Sequence, residues 1–143
     1  MKILRTEIEI HAAPERVWQI LTDLDKYAEW NPFITRAVGK AEVGEKVDIT
    51  VPDRKRSMVL HCTVMKVVPN QELIWTYHVV KPWVFRGEHR FLLEPGEDGA
   101  VRFVDQEIFH GLAVPLDARE IDTSSRHGFH AMDRALKARA EAG

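Results

Sequence analysis

The stretch 84–110, VFRGEHRFLLEPGEDGAVRFVDQEIFH, decides how the rest of this chain is read. Each half alternates apolar with polar or charged side chains, and Pro95-Gly96-Glu97-Asp98-Gly99 separates the halves. Period-two alternation marks a strand with one covered face, and a short Pro/Gly/Asp-rich break between two such runs predicts an antiparallel hairpin. With Pro95 to Ala100 as the connection, Leu93 lies opposite Val101, Phe91 opposite Phe103, His89 opposite Asp105, Gly87 opposite Glu107 and Phe85 opposite Phe109. These ten share one face. The other face carries Arg86, Glu88, Arg90 and Arg102, whose burial would be costly, so the ten are expected to point inward.

The same texture extends upstream. Strands are predicted over about 34 to 39, 46 to 52, 57 to 68 and 72 to 80, broken at Gly44-Glu45, Pro52-Asp53, Pro69-Asn70 and Lys81-Pro82, which makes a meander the economical topology. Leu73, Trp75, Tyr77 and Val79 form one inward set, and Met58, Leu60, Cys62 and Val64 another. Ile3 to Ile10 alternate in the same way and predict a first strand. Pro14 and Glu15 suit a first helical turn, and Val17, Ile20, Leu21 and Leu24 fall on one face behind them. A second short helix, about Leu24 to Trp30, ends where Pro32 restricts Asn31 to extended geometry. From Pro115 to about Ala140 no proline intervenes, and Ile121, Ser125, Gly128, Phe129, Met132 and Leu136 project to one side of a long helix.

An antiparallel sheet of seven strands with one long amphipathic helix has one good packing solution. The sheet curls and the helix lies across its concave face, an α+β helix-grip fold with two short helices after strand one. The whole chain, 1–143, is expected to be one such domain. A curved sheet and one rod do not touch along their whole length, so a space remains between them, and that space is the candidate site.

Composition narrows the function classes. Of 143 residues 45% are apolar and 29% charged, as in a globular domain. Twenty basic against twenty-two acidic residues, a net charge of -2, offer no electrostatic footprint for a phosphate backbone, so nucleic acid is not an expected partner. Glu7 and Glu9 interrupt the start of the chain before any apolar run long enough for a signal peptide or a membrane span. A cytoplasmic protein without membrane insertion is therefore expected. Cys62 is the sole cysteine, which rules out an internal disulfide and a four-cysteine zinc site.

The order of elements resembles the START-like superfamily, also called the birch-pollen-allergen-like superfamily, in its bacterial polyketide cyclase/dehydrase-like branch. Ala13-Pro14-Glu15-Arg16-Val17-Trp18, leading to Asp23-Leu24-Asp25-Lys26-Tyr27-Ala28-Glu29-Trp30-Asn31-Pro32-Phe33, looks like that superfamily's helix pair and its tryptophan-asparagine-proline exit. Glu72-Leu73-Ile74-Trp75, Gly87-Glu88-His89-Arg90-Phe91 and Glu107-Ile108-Phe109-His110-Gly111 resemble its strand signatures. The resemblance spans nearly the whole chain. It implies a shape shared by lipid carriers, aromatase/cyclases, oxygenase catalytic domains and chaperone activators, so chemistry has to be argued from the site. No Rieske-type cysteine/histidine cluster accompanies it, and no cofactor is expected.

On the inward face His89, Asp105 and Glu107 stand close on a largely apolar wall. Imidazole beside carboxylates is a proton-transfer group, and these three are the candidate catalytic residues. The plainer alternative is a set of polar residues that satisfy one another within the fold. Phe33, Trp75, Tyr77, Trp83, Phe85, Phe91, Phe103, Phe109 and Phe129 supply apolar walls, with Ile121 and Met132 from the helix. Trp83, in the turn Lys81-Pro82-Trp83, is a candidate mouth residue, and Ser125 offers a hydroxyl to a ligand or to its own helix. Gly87 leaves room above the strand, marks a bulge, or lets the sheet bend.

Other signals carry less. His127, His130 and Asp133 have helical spacing for a metal site, but counted from Ile121 they fall at about 240°, 180° and 120°. That spread predicts a solvated face and no metal site. Ser124-Ser125 lacks a nucleophile-elbow context, Arg54-Lys55-Arg56 reads as a solvated turn, and no glycine-rich nucleotide loop occurs. The expectation is a binder of a hydrophobic or amphiphilic small molecule, monomeric or homodimeric through an exposed edge strand. The alternatives are a cyclase- or dehydratase-like enzyme working through His89 and Glu107, and a protein-interaction module resembling chaperone activators.

Overall fold

The computed structural model describes residues 1–142. Strand β1 (Lys2–Ile10) leads into helix α1 (Pro14–Thr22), a 3-10 turn (Leu24–Lys26) and helix α2 (Tyr27–Trp30). Six strands follow, β2 (Arg36–Gly39), β3 (Lys46–Asp53), β4 (Arg56–Val68), β5 (Glu72–Val79), β6 (Phe85–Pro95) and β7 (Val101–His110). The chain closes with helix α3 (Val114–Glu120), a π-type turn (Ile121–Ser125) and helix α4 (Arg126–Glu141), which form one rod of 28 residues. The strands make a seven-stranded antiparallel sheet in the order β1-β7-β6-β5-β4-β3-β2. The meander runs from β2 to β7, and β1 completes the sheet beside β7. A bulge between Val64 and Lys66 breaks the β4–β5 register and adds to the twist that curls the sheet over the rod. The long C-terminal helix held by a curved seven-stranded sheet is the helix-grip architecture.

The inward face is the one the alternation predicts. Leu73, Trp75, Tyr77, His89, Phe91, Leu93, Phe103, Asp105, Glu107 and Phe109 are all buried, while Arg86 and Arg102 are exposed. Pairing along β6 and β7 differs from the expectation by two residues. His89 lies opposite Glu107, Phe91 opposite Asp105, Leu93 opposite Phe103 and Gly87 opposite Phe109. The cause is the turn. Pro95 still pairs with Val101, and the connection is only Gly96 to Ala100, closed by Gly96 N–H donating to the Ala100 carbonyl at 2.8 Å. Asp98 and Gly99 take positive φ values of 53° and 80°, which turns the chain within that short span. A two-residue shift preserves the faces and changes only the partners.

The rod does not wind uniformly, as a single helical count assumes. A π-type turn at Ile121–Ser125 interrupts it, and in the regular helix beyond, Asp133, expected in water, is only 1% exposed. Its place four residues after Phe129 puts it on the buried row with Leu136 and Ala140. His127 and His130 are exposed as expected, so the three do not converge.

At the start of the chain, Asn31 is buried, and its side-chain oxygen accepts the backbone N–H groups of Phe33 at 3.0 Å and Ile34 at 2.9 Å. This local bond ends α2 and aims Phe33 at the rod. There its ring lies over Gly128, where an added Cβ would collide with it, and meets Phe129 edge-on at 5.5 Å.

Candidate functional site

Between the concave sheet and the rod lies a cavity of about 420 Å³. Tyr77 and Phe85 reach it from β5 and β6, His89 from β6, Glu107 and Phe109 from β7, and Phe33 from the segment after α2. Ile121, Ser125 and Phe129 close it from the rod. Those nine residues were all expected on its wall. Met58, Leu60 and Val79, expected on the inward face but not among the site residues, also line it, and the sequence reading missed Ile34, Ile49 and Val51, although alternation on β3 carried the signal for Ile49 and Val51. Asp53, Arg54, Asp117, Glu120 and Ser124 also line it, from more exposed positions that form its rim.

Seven expected site residues stand elsewhere. Trp75, Phe91, Phe103, Asp105 and Met132 are packed behind the wall at 2% exposure or less and do not face the space. Trp83 is 66% exposed on the β5–β6 turn, where its carbonyl, accepting the Leu112 N–H at 3.0 Å, meets the segment before the rod and its ring stays in water. Gly87 neither makes a bulge nor opens onto the cavity. It pairs with Tyr77, and a Cβ there would sit 2.5 Å from the tyrosine ring, so the missing side chain makes room for Tyr77 itself.

Laid across Gly87, Tyr77 donates its hydroxyl hydrogen to Glu107 Oε2 at 2.5 Å. Opposite Glu107, His89 places Nδ1 at 3.2 Å from Glu107 Oε1 and Nε2 at 2.6 Å from Asp105 Oδ1. Its ring plane is fixed by stacking on Phe91, with centroids 4.1 Å apart, and on Phe129 at 5.0 Å and 9°. Burial disfavours the charged imidazole, but the Asp105 and Glu107 carboxylates outweigh it and push the His89 pKa up to about 9. His89 is therefore an imidazolium at neutral pH, held between two carboxylates and two phenyl faces.

Behind Asp105 the network continues to a residue the sequence reading had set aside. Asp133 Oδ2 accepts the Thr6 hydroxyl at 2.6 Å, and burial, then the Asp105 charge, push the Asp133 pKa up to about 9. Asp105 Oδ2 and Asp133 Oδ1 have no other hydrogen-bond partner, although both are buried. A proton on Asp133, shared with Asp105, satisfies both oxygens at once. Burial and the Glu107 charge likewise raise the Tyr77 hydroxyl pKa well above its ordinary range. The cluster can hold and pass protons on one side of an otherwise apolar space. Cys62 is buried, and burial pushes its thiol pKa upward, so it is an inert core residue as expected. A second hollow of about 360 Å³, lined by Arg16, Asp23, Lys26 and Arg139 among others, lies on the outside of the helices.

Among the described residues no helix is long and apolar enough to cross a membrane. No curated protein matches the sequence. Solved structures with the same fold include a protein from Mesorhizobium loti, 23% identical over 96% of this chain and 95% of its own, with a TM-score of 0.74. A START superfamily protein from Mycobacterium smegmatis is 19% identical over 98% of this chain and 97% of its own, with a TM-score of 0.75. The Zhui aromatase/cyclase from a Streptomyces species is 15% identical over 98% of this chain and 93% of its own, with a TM-score of 0.79. These likenesses show the fold. A family model described as polyketide cyclase/dehydrase and lipid transport matches residues 1–141, and on that match the chain belongs to this family.

Proposed function

We propose that the protein binds a hydrophobic or amphiphilic small molecule in the cavity between sheet and rod. The observation that carries this reading is a hollow of about 420 Å³ whose walls are largely phenyl rings and aliphatic side chains and whose polar patch on the sheet is already ordered. Such a space suits an apolar body with one polar end. Affinity comes from removing the apolar body from water, and orientation from the cost of burying its polar end away from Glu107, Tyr77 and His89.

Native mass spectrometry of freshly purified protein, with extraction of the bound material, tests this directly. The expected result is a retained apolar molecule, or saturable binding of an apolar fluorescent probe that Ser125→Trp abolishes by filling the hollow from the rod. An empty protein whose probe binding ignores Ser125→Trp overturns the reading.

A second reading, a cyclase- or dehydratase-like enzyme, is favoured by the position of Glu107. It lines the cavity, and behind it stand His89, Asp105 and a proton-bearing Asp133. In that reading Glu107 takes a proton from bound substrate and the cluster behind it spreads the change in charge. Glu107→Gln then abolishes turnover while a neutral apolar probe binds within about tenfold of the unaltered protein. Equal loss of both makes Glu107 a binding group only.

A further inference from the structure

Resting on the reading that the cavity takes an apolar ligand, the hydrogens of its polar patch show which polar end fits. Each donor in the patch is spent within the patch. The Tyr77 hydroxyl gives its hydrogen to Glu107, His89 gives one N–H to Asp105 and directs the other at Glu107, and Thr6 gives its own to Asp133. The buried N–H groups left without a partner, on Trp30, Asn31, Trp75 and Arg90, belong to residues that do not line the cavity. Acceptors remain. A carboxylate offers about four lone-pair directions, and Glu107 uses two; the tyrosine oxygen accepts no hydrogen bond among the described residues.

Charge points the same way. Asp105 and Glu107 together face one imidazolium, so the patch keeps a surplus negative charge. At the rim three carboxylates, on Asp53, Asp117 and Glu120, stand against one guanidinium, on Arg54. The donors that remain, the Ser125 hydroxyl on the rod wall and Arg54 and Ser124 at the rim, lie on the rod and the β3–β4 turn and not on the sheet wall that carries Glu107. Phe33, Phe85, Phe109 and Phe129 add ring faces, which attract a cation.

We propose that the ligand is a cationic amphiphile, an aromatic or aliphatic amine bound as its ammonium ion, with Glu107 and the Tyr77 oxygen as acceptors for its buried end. A carboxylate in the same place meets Glu107 with no N–H directed at it, and its desolvation goes uncompensated. A neutral alcohol satisfies the hydrogen-bond pattern and leaves the negative charge unmatched.

The test is an isosteric series titrated by calorimetry at pH 7: 2-naphthylmethylamine, 2-naphthalenemethanol, 2-naphthoate and 2-methylnaphthalene. The expected order places the amine at least tenfold tighter than the alcohol and at least a hundredfold tighter than the carboxylate. Glu107→Gln should bring amine and alcohol within about threefold of each other. An alcohol or a naphthoate that binds as tightly as the amine overturns the proposal and leaves the carrier reading standing. The same holds if methylnaphthalene binds and the amine does not. If none of the four binds, the apolar-ligand reading itself falls, and this proposal with it.

Discussion

Replacing Asp133 by asparagine should stabilise this protein at neutral pH, which is the reverse of the usual effect of altering a buried charged residue. In the fold, Asp133 takes the Thr6 hydroxyl on Oδ2 and meets the Asp105 carboxyl side chain to side chain, a hydrogen bond that needs a proton. Unfolded, the carboxyl has its ordinary pKa of 3.8; folded, burial first and the Asp105 charge second push it up to about 9. A raised folded pKa means that the native state holds one proton more than the unfolded state between those limits. Its contribution is full below about pH 4 and is lost as pH rises through the folded value. Each pH unit costs about 1.4 kcal/mol, so a little over three units to pH 7 amount to about 4 kcal/mol. In Asp133→Asn the side chain carries its donor permanently: the amide oxygen takes the Thr6 bond, the NH2 faces Asp105, and no proton has to be captured. Urea unfolding of Asp133→Asn and the unaltered protein at pH 5, 6, 7 and 8 should give a difference that favours asparagine and widens by about 1.4 kcal/mol per unit. A difference that stays flat with pH, or that favours aspartate at pH 7, refutes the shared proton.

The imidazole of His89 should titrate near pH 9 by NMR, and a value at or below 6.5 would disprove its place between two carboxylates. His89→Leu should cost about 3 to 5 kcal/mol in urea unfolding, because Asp105 and Glu107 lose their buried counter-charge; a neutral result contradicts this. Gly87→Ala should cost about 1 to 3 kcal/mol by pushing the Tyr77 ring off its glycine, and the same change made in a Tyr77→Phe background should add nearly as much, since the phenyl ring still meets the new Cβ. Gly128→Ala should destabilise despite the better helix propensity of alanine, because its Cβ meets the Phe33 ring. In a Phe33→Ala background the same change should instead gain up to about 1 kcal/mol, and equal signs in the two backgrounds would refute the contact.

Much of this geometry was legible because charge settled the choice of face. Arg86, Arg90 and Arg102 could not all be buried, and that alone turned His89, Asp105 and Glu107 inward. Register was less legible. It depends on where a turn closes, and Pro95 stayed in the ladder where a proline is easily counted into the loop. The error moved Glu107 into the place expected of Asp105, directly across from His89. Asp133 was lost for a different reason. It was grouped with His127 and His130 on the far face, although at 100° per residue it lies only about 40° from Phe129. Counting four residues from Phe129 places it correctly. Trp83 shows that a large apolar side chain is no guide to burial unless something is available to cover it.

The π-type turn also divides the rod into parts with different surroundings. Beyond it, Phe129, Met132, Asp133, Leu136 and Ala140 are locked to the sheet; before it, Leu116 is 86% exposed and Asp117 and Glu120 edge the opening. Removing one residue between Ile121 and Ser125 would restore regular winding and draw in the wide turn whose Ile121, Ser124 and Ser125 side chains line the cavity, while the helix on either side keeps its phase. One deletion at this joint would thus re-cut a wall of the cavity without touching the foundations.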